Sequence, residues 1–178
     1  MRDDVQDLIT RLEKNMERIT WGMMDCETDD LATAPDEGEW SPIQIFAHMK
    51  ASNDITTGRI PLLVTHVEPT LQNVDGRAWA TLAGYEEAPL DQTLMAYRRQ
   101  RDETLWQLRR LPDDCWDRVA HHETRGELTL FTLLQSFLEH EEEHITQLEA
   151  VFGDEADEGA KPSEPPAEAT EISPKEDQ

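Results

Sequence analysis

Cysteine is scarce in this chain: Cys26 and Cys115 are the only two among 178 residues. They stand far apart with no C-x-x-C spacing, so the sequence offers neither a disulfide framework nor a thiolate metal site, and a reducing cytoplasm fits. Positive charge is scarce as well. Sixteen Lys and Arg face 39 Asp and Glu, for a formal net charge of -23 and a pI near 4.4. Nucleic acid and anionic lipid select clustered Lys and Arg, so neither is an expected partner. No apolar run approaches the ~18 residues of a membrane span, and the N-terminus opens on acidic residues instead of a basic and then apolar signal region. A soluble cytoplasmic protein is expected. Alternation of apolar and polar residues is also rare. Only "DRVAHHETRGELTL" suggests strands, as a small hairpin around Gly126.

What the chain does have is helical periodicity. Val5, Leu8, Ile9, Leu12, Met16, Ile19 and Met23 recur at steps of three and four after the acidic start Asp3-Asp4, an amphipathic helix of roughly six turns. A second helix opens at "EWSPIQIFAHM", where Ser41 caps, Pro42 suits the first helical position and Gln44 completes a capping box. It is predicted to run to about Gly58, before Pro61. Residues 59–88, broken by Pro61, Pro69, Gly76 and Gly84, read as a long, partly helical connection. A third helix spans about Leu90 to Leu111, with Leu94, Tyr97, Arg101, Leu105 and Leu108 along one stripe and Pro112 ending it. The fourth runs from near Thr129 to Phe152, with Gly153 as its stop.

Four helices of similar length with no sheet to pack on imply an all-α four-helix bundle over residues 1–152, and the long connection between helices 2 and 3 allows a crossover. Residues 153–178 differ in kind. They hold four of the ten prolines, nine acidic residues against two lysines, and Ile172 as the one large apolar residue, the composition of a disordered acidic tail. The tail carries -7, which leaves -16 on residues 1–152.

On the fourth helix Leu130, Leu133, Phe137, His140, His144, Leu148 and Val151 form the inward stripe, so two imidazoles four residues apart lie one turn above each other. Ile45, His48, Ser52 and Ile55 form the corresponding stripe on the second helix. A single inward histidine is usually a hydrogen-bonded core residue, and His-x-x-x-His on a helix often arises by chance. Three imidazoles in one bundle core are harder to satisfy, and a divalent ion held by His48, His140 and His144 is the simplest solution. His66, His121 and His122 fall in connecting segments and are expected to be solvated.

The stretch His140-Glu141-Glu142-Glu143-His144 also spells the H-E-x-x-H of zinc peptidases. At ~100° per residue Glu141 lies roughly 80° from the histidines, so geometry leaves it open as a catalytic base. The longer peptidase signature is missing, with Gln147 and Ala150 where glycine and a third histidine belong. The ordinary expectation for Glu141, Glu142 and Glu143 is a charged helix face. Arg101, on the inward stripe of the third helix, could hold an anionic substrate group or a carboxylate, or reach from the core edge to solvent.

Taken together, "EWSPIQIFAHM", "AYRRQRDETLWQLRRL" and "HHETRGELTLFTLLQSFLEHEEEHITQLE" resemble the DinB-like superfamily of metal-binding four-helix bundles. The most specific element is a His shortly after a Trp-Ser-Pro helix start, followed far downstream by His-x-x-x-His and Gln-Leu, here His48, His140, His144 and Gln147-Leu148. The resemblance implies zinc or nickel on the three imidazoles, water on the open face, and often a homodimer. It also implies a small-molecule substrate and a low-molecular-weight thiol cofactor, as in mycothiol-dependent maleylpyruvate isomerase and bacillithiol transferases. A metal-dependent transferase or hydrolase is one expectation. A non-catalytic, metal-stabilised structural or binding protein is the alternative.

Overall fold

The computed structural model describes residues 2–24 and 31–152. Cys26, the Gly153 stop and the acidic tail lie outside the described residues. In chain order the elements are α1 (Asp3–Met24), α2 (Pro42–Thr65), β1 (Thr70–Leu71), α3 (Gly76–Leu82) and α4 (Leu90–Leu108). A 3₁₀ turn (Asp113–Asp117), β2 (Val119–His122), β3 (Gly126–Thr129) and α5 (Leu130–Phe152) follow.

The four long helices form the expected bundle, and surface ion pairs reveal the relative direction of two of them. Arg11 bonds Glu142 at 2.7 Å and Arg18 bonds Glu149 at 2.6 Å. Equal seven-residue steps on both partners require α1 and α5 to run parallel. The core lies in two layers. In the lower one, Leu8 and Leu12 from early α1 meet Ile60 and Leu63 from late α2, Leu105 and Leu108 from late α4, and Leu134 from early α5. In the upper one, Ile19 and Met23 meet Ile45 and Phe46 from early α2, Leu94 and Tyr97 from early α4, and Ile145 and Leu148 from late α5. Helices α2 and α4 therefore both run opposite to α1. Each of α1 and α2 packs against α4 and α5, so α1 sits diagonal to α2 and α4 sits diagonal to α5. Because α2 and α4 are parallel, the chain must travel back the length of the bundle between them, which is why residues 66–89 form a long crossover.

The small sheet closes the lower end. The expected hairpin is present, with β2 antiparallel to β3 and Val119 opposite Thr129. A strand not anticipated, β1, adds in parallel to β2, pairing Thr70 with His121. Leu71, Trp116, Ala120 and Leu128 bury this sheet and turn against the lower core.

Three expectations need correction. Helix α2 does not stop near Gly58 but passes through Pro61 to Thr65. Its last turns bury Ile60 and Leu63, and Arg118 donates to the carbonyls of Leu63 (2.9 Å) and His66 (2.6 Å), satisfying groups that the helix end would leave unpaired. Helix α4 ends at Leu108, three residues early, where Arg109 and Arg110 begin a tight turn. His122 is not solvated; it is buried on β2, with Arg59 3.2 Å from Nε2 and the Thr124 N–H 3.3 Å from Nδ1. Burial first, and then the nearby Arg59 and Arg125, lower its pKa. His66 and His121 are exposed, as expected.

Candidate metal centre

His48 stands on the second turn of α2, and His140 and His144 stand on the upper half of α5, the helix beside it. The local sequence fixes that start. Pro42 takes the first helical position, and Gln44 Oε1 accepts from the Ser41 N–H at 3.1 Å. The three imidazoles converge as the spacing predicted. Each offers one nitrogen to a cluster whose atoms lie within 4.8 Å of one another, and Nε2 of His48 is 3.1 Å from Nε2 of His140. Ring centroids are 4.5 to 5.1 Å apart.

The donor set suits a divalent ion. Two nitrogens bound at ~2.0–2.1 Å in tetrahedral geometry stand ~3.3 Å apart, close to the His48–His140 separation. His144 Nδ1 is 2.8 Å from Gln147 Oε1, an acceptor, so Nδ1 carries the proton and Nε2 keeps its lone pair. That Nε2 is buried without a hydrogen-bond partner, as is Nδ1 of His48. An unpaired buried polar atom costs about 1–3 kcal/mol. A cation among the three rings would engage the His144 nitrogen. Burial, followed by the neighbouring His144 and His140, lowers the His48 pKa to about 4, and burial together with His144 also lowers that of His140. Both rings are therefore neutral, the ligating form, at pH 7.

Several neighbours complete the site. The Trp40 indole stacks nearly parallel to His144, 13° between planes and 6.1 Å between centroids, and meets His48 edge-on at 5.2 Å. Gly76, at the start of α3, lies beside His48, where a Cβ would make an ordinary van der Waals contact of 3.6 Å with His48 Cε1. Asp75 caps α3 by accepting from the Arg77 and Ala78 N–H groups, and the Arg77 guanidinium sits 5.2 Å from the centre of the Trp40 ring. An open cleft of about 500 Å³ borders Glu39, Trp40, Ile45, His144, Gln147 and Val151. It reaches the cluster from the Gln147 side and touches neither His48 nor His140. Of these neighbours, Trp40 and Gln147 lay within the motifs that carried the family resemblance, whereas Arg77 had no sequence signal because the crossover alone brings it here.

Glu141 and Arg101 lie elsewhere. Glu141, 1 % exposed, turns to the bundle axis, where Tyr97 donates to it at 2.9 Å and Arg101 forms a close ion pair with it. Arg101, 2 % exposed, also donates to Asn53 Oδ1 at 3.1 Å. It does not reach solvent, and Glu141 is not on a charged surface. Glu143 is exposed, while Glu142 is half-buried against Arg11.

No curated protein matches the chain. Solved structures with the same fold include two four-helix bundle proteins. YfiT from Bacillus subtilis, described as a probable metal-dependent hydrolase with an unusual four-helix bundle topology, superposes with a TM-score of 0.75 at 22% identity, covering 84% of this chain and 89% of that one. TT2238, described as a four-helix bundle protein, gives a TM-score of 0.60 at 20% identity, covering 82% of this chain and 98% of that one. The family model of the DinB superfamily matches residues 8–148. Since that match spans most of the sequence and both helices that bear the histidines, the chain belongs to the DinB superfamily.

Proposed function

We propose that this protein is a metal-dependent enzyme, a hydrolase or transferase that binds zinc or nickel through His48, His140 and His144 and activates a water or a low-molecular-weight thiol for attack on a small molecule. The carrying observation is the convergence of three imidazoles, His144 Nε2 among them unpartnered, with no fourth protein ligand in the cluster among the described residues. Structural zinc sites normally close with four protein ligands, whereas catalytic ones keep a position open. A divalent ion with neutral ligands keeps its full charge and lowers the pKa of a water or thiol at its open face. The protein's own contribution is orientation. Gln147 holds the His144 tautomer, Trp40 packs over two of the rings, and burial keeps His48 unprotonated. The likeness to YfiT, itself described as a probable metal-dependent hydrolase, supports the hydrolase reading. The second reading, a non-catalytic metal-stabilised protein, is favoured by the way the cluster ties α2 to α5. The homodimer implied by the resemblance is likewise a proposal, which sedimentation velocity tests.

Metal analysis of the purified protein is the test. One equivalent of zinc or nickel, lost in His48→Ala and in His140→Ala, is expected. Metal-free protein that gains no thermal stability on adding either ion would sink the proposal. Between the two readings, a change in the cobalt spectrum with a small thiol supports the enzyme, and an inert spectrum supports the structural role.

A further inference from the structure

Arg101, the arginine that the sequence stripe offered for an anionic substrate group, is spent on Glu141 in the bundle interior. A different arginine stands beside the candidate centre. The crossover returns along α2 and packs Gly76 against the His48 ring, so Arg77 follows immediately at the edge of the cluster. Its guanidinium lies over Trp40, the ring that itself packs on His48 and His144. The side chain is exposed, and it has no carboxylate partner among the described residues. Arg2, Arg11, Arg18, Arg101 and Arg109 are each paired with Asp or Glu; what sets Arg77 apart from the other arginines without such a partner is its place beside the histidine cluster. The nearest carboxylate in sequence, Asp75, turns its Oδ1 to the backbone N–H groups of Arg77 and Ala78.

We propose that Arg77 is the anion-holding residue of this site, so that the substrate class is a small molecule carrying a carboxylate or phosphate group, clasped by Arg77 while the neighbouring atoms lie at the three-histidine centre. The inference rests on the metal reading given above. A guanidinium presents a planar fork of donors that matches both oxyanions, and the Arg77 guanidinium packs over Trp40 with no hydrogen-bond acceptor for its N–H groups among the described residues. The negative charge of the domain does not forbid such a ligand. Exposed charges beyond the ~8 Å Debye length are largely screened, whereas a divalent ion and a guanidinium would act at contact distance.

The experiment uses the cobalt-substituted full-length protein, titrated with acetate, inorganic phosphate and neutral imidazole while the visible spectrum is followed. Saturable binding of acetate or phosphate by the parent is expected, and the preferred one identifies the group. Arg77→Gln should keep one cobalt per chain and its imidazole affinity, yet bind the anion roughly ten- to hundredfold more weakly, with Arg77→Lys between the two. Equal anion affinity in parent and Arg77→Gln would overturn the assignment, as would no anion binding by the parent. Parallel loss of imidazole and anion affinity would also overturn it, because it would mean a distorted centre. Failure of the parent to take up cobalt would instead remove the metal reading, and this inference with it.

Discussion

Arg101 and Glu141 form the most buried charge pair in the bundle, and their energetics differ from those of the surface arginines. Burial, the largest influence, acts to lower the Arg101 pKa, but Glu141 and Tyr97 outweigh it and leave it raised; burial also pushes the Tyr97 hydroxyl well above its ordinary value. Removing one partner strands the other's charge in a medium that solvates it poorly. Arg101→Met is therefore expected to cost about 3–5 kcal/mol in urea unfolding, whereas Arg101→Met with Glu141→Leu should recover most of that loss. A double variant as unstable as the single one would contradict this account. The same residue marks the limit of what periodicity could tell. Steps of three and four found both histidines, and Leu130, Leu133, Phe137, His144 and Leu148 of that stripe are buried, but the buried face of α5 is wider, taking in Leu134, Leu138, Glu141 and Ile145, with His140 half-exposed at its edge facing α2. Hydrophobicity hides this from the sequence: a glutamate at the centre of a core stripe looks like a surface residue until its arginine on another helix is known.

Among the elements, α1, α4 and α5 were legible to within a few residues because their apolar repeats are long, and for α4 because Pro112 follows soon after its end. Helix α2 was not, since Pro61 reads as a breaker. Proline lacks the N–H for the i−4 bond and crowds that carbonyl, a cost near 3 kcal/mol in a helix interior. The helix continues because Ile60 and Leu63 bury their side chains and Arg118 ties the last carbonyls. Those partners lie some 55 residues away in sequence, beyond any local pattern. Pro61→Ala is expected to raise the melting temperature, with a gain of about 1 kcal/mol once the lost rigidity of the unfolded chain is counted against the restored bond. Slower hydrogen exchange in residues 60–65 would accompany it. A lower melting temperature would mean that the α2 backbone is built around the proline. The crossover was legible as a long, partly helical connection, but β1 and the bounds of α3 were not, for a related reason: two residues of strand and seven of helix carry no periodicity of their own.

At the scale of the whole molecule, the up-down-down-up threading places the sheet at one end of the bundle and the histidine cluster toward the other, so α2 and α5 must register for the site to exist. No helix among the described residues is long and apolar enough to cross a membrane, and the free energy that holds this register comes from the two core layers. The cluster works against them in acid. Unfolded, His48 titrates near 6.5, but in the fold burial and the neighbouring His144 and His140 bring it to about 4. Between those values the unfolded chain binds a proton that the folded apoprotein does not, so stability falls as pH drops from about 6.5 toward 4. His140, lowered in the same direction, adds to the loss. Relief of the net negative charge acts oppositely over the same range, which makes the difference between variants the informative quantity. Chelator-treated parent and His48→Ala proteins, unfolded in urea at intervals from pH 7.5 to 4.5, should diverge in slope: the parent loses stability on acidification more steeply than the variant. Parallel slopes would mean that His48 takes its proton as readily inside the bundle as outside it, and that the cluster is not poised as neutral ligands.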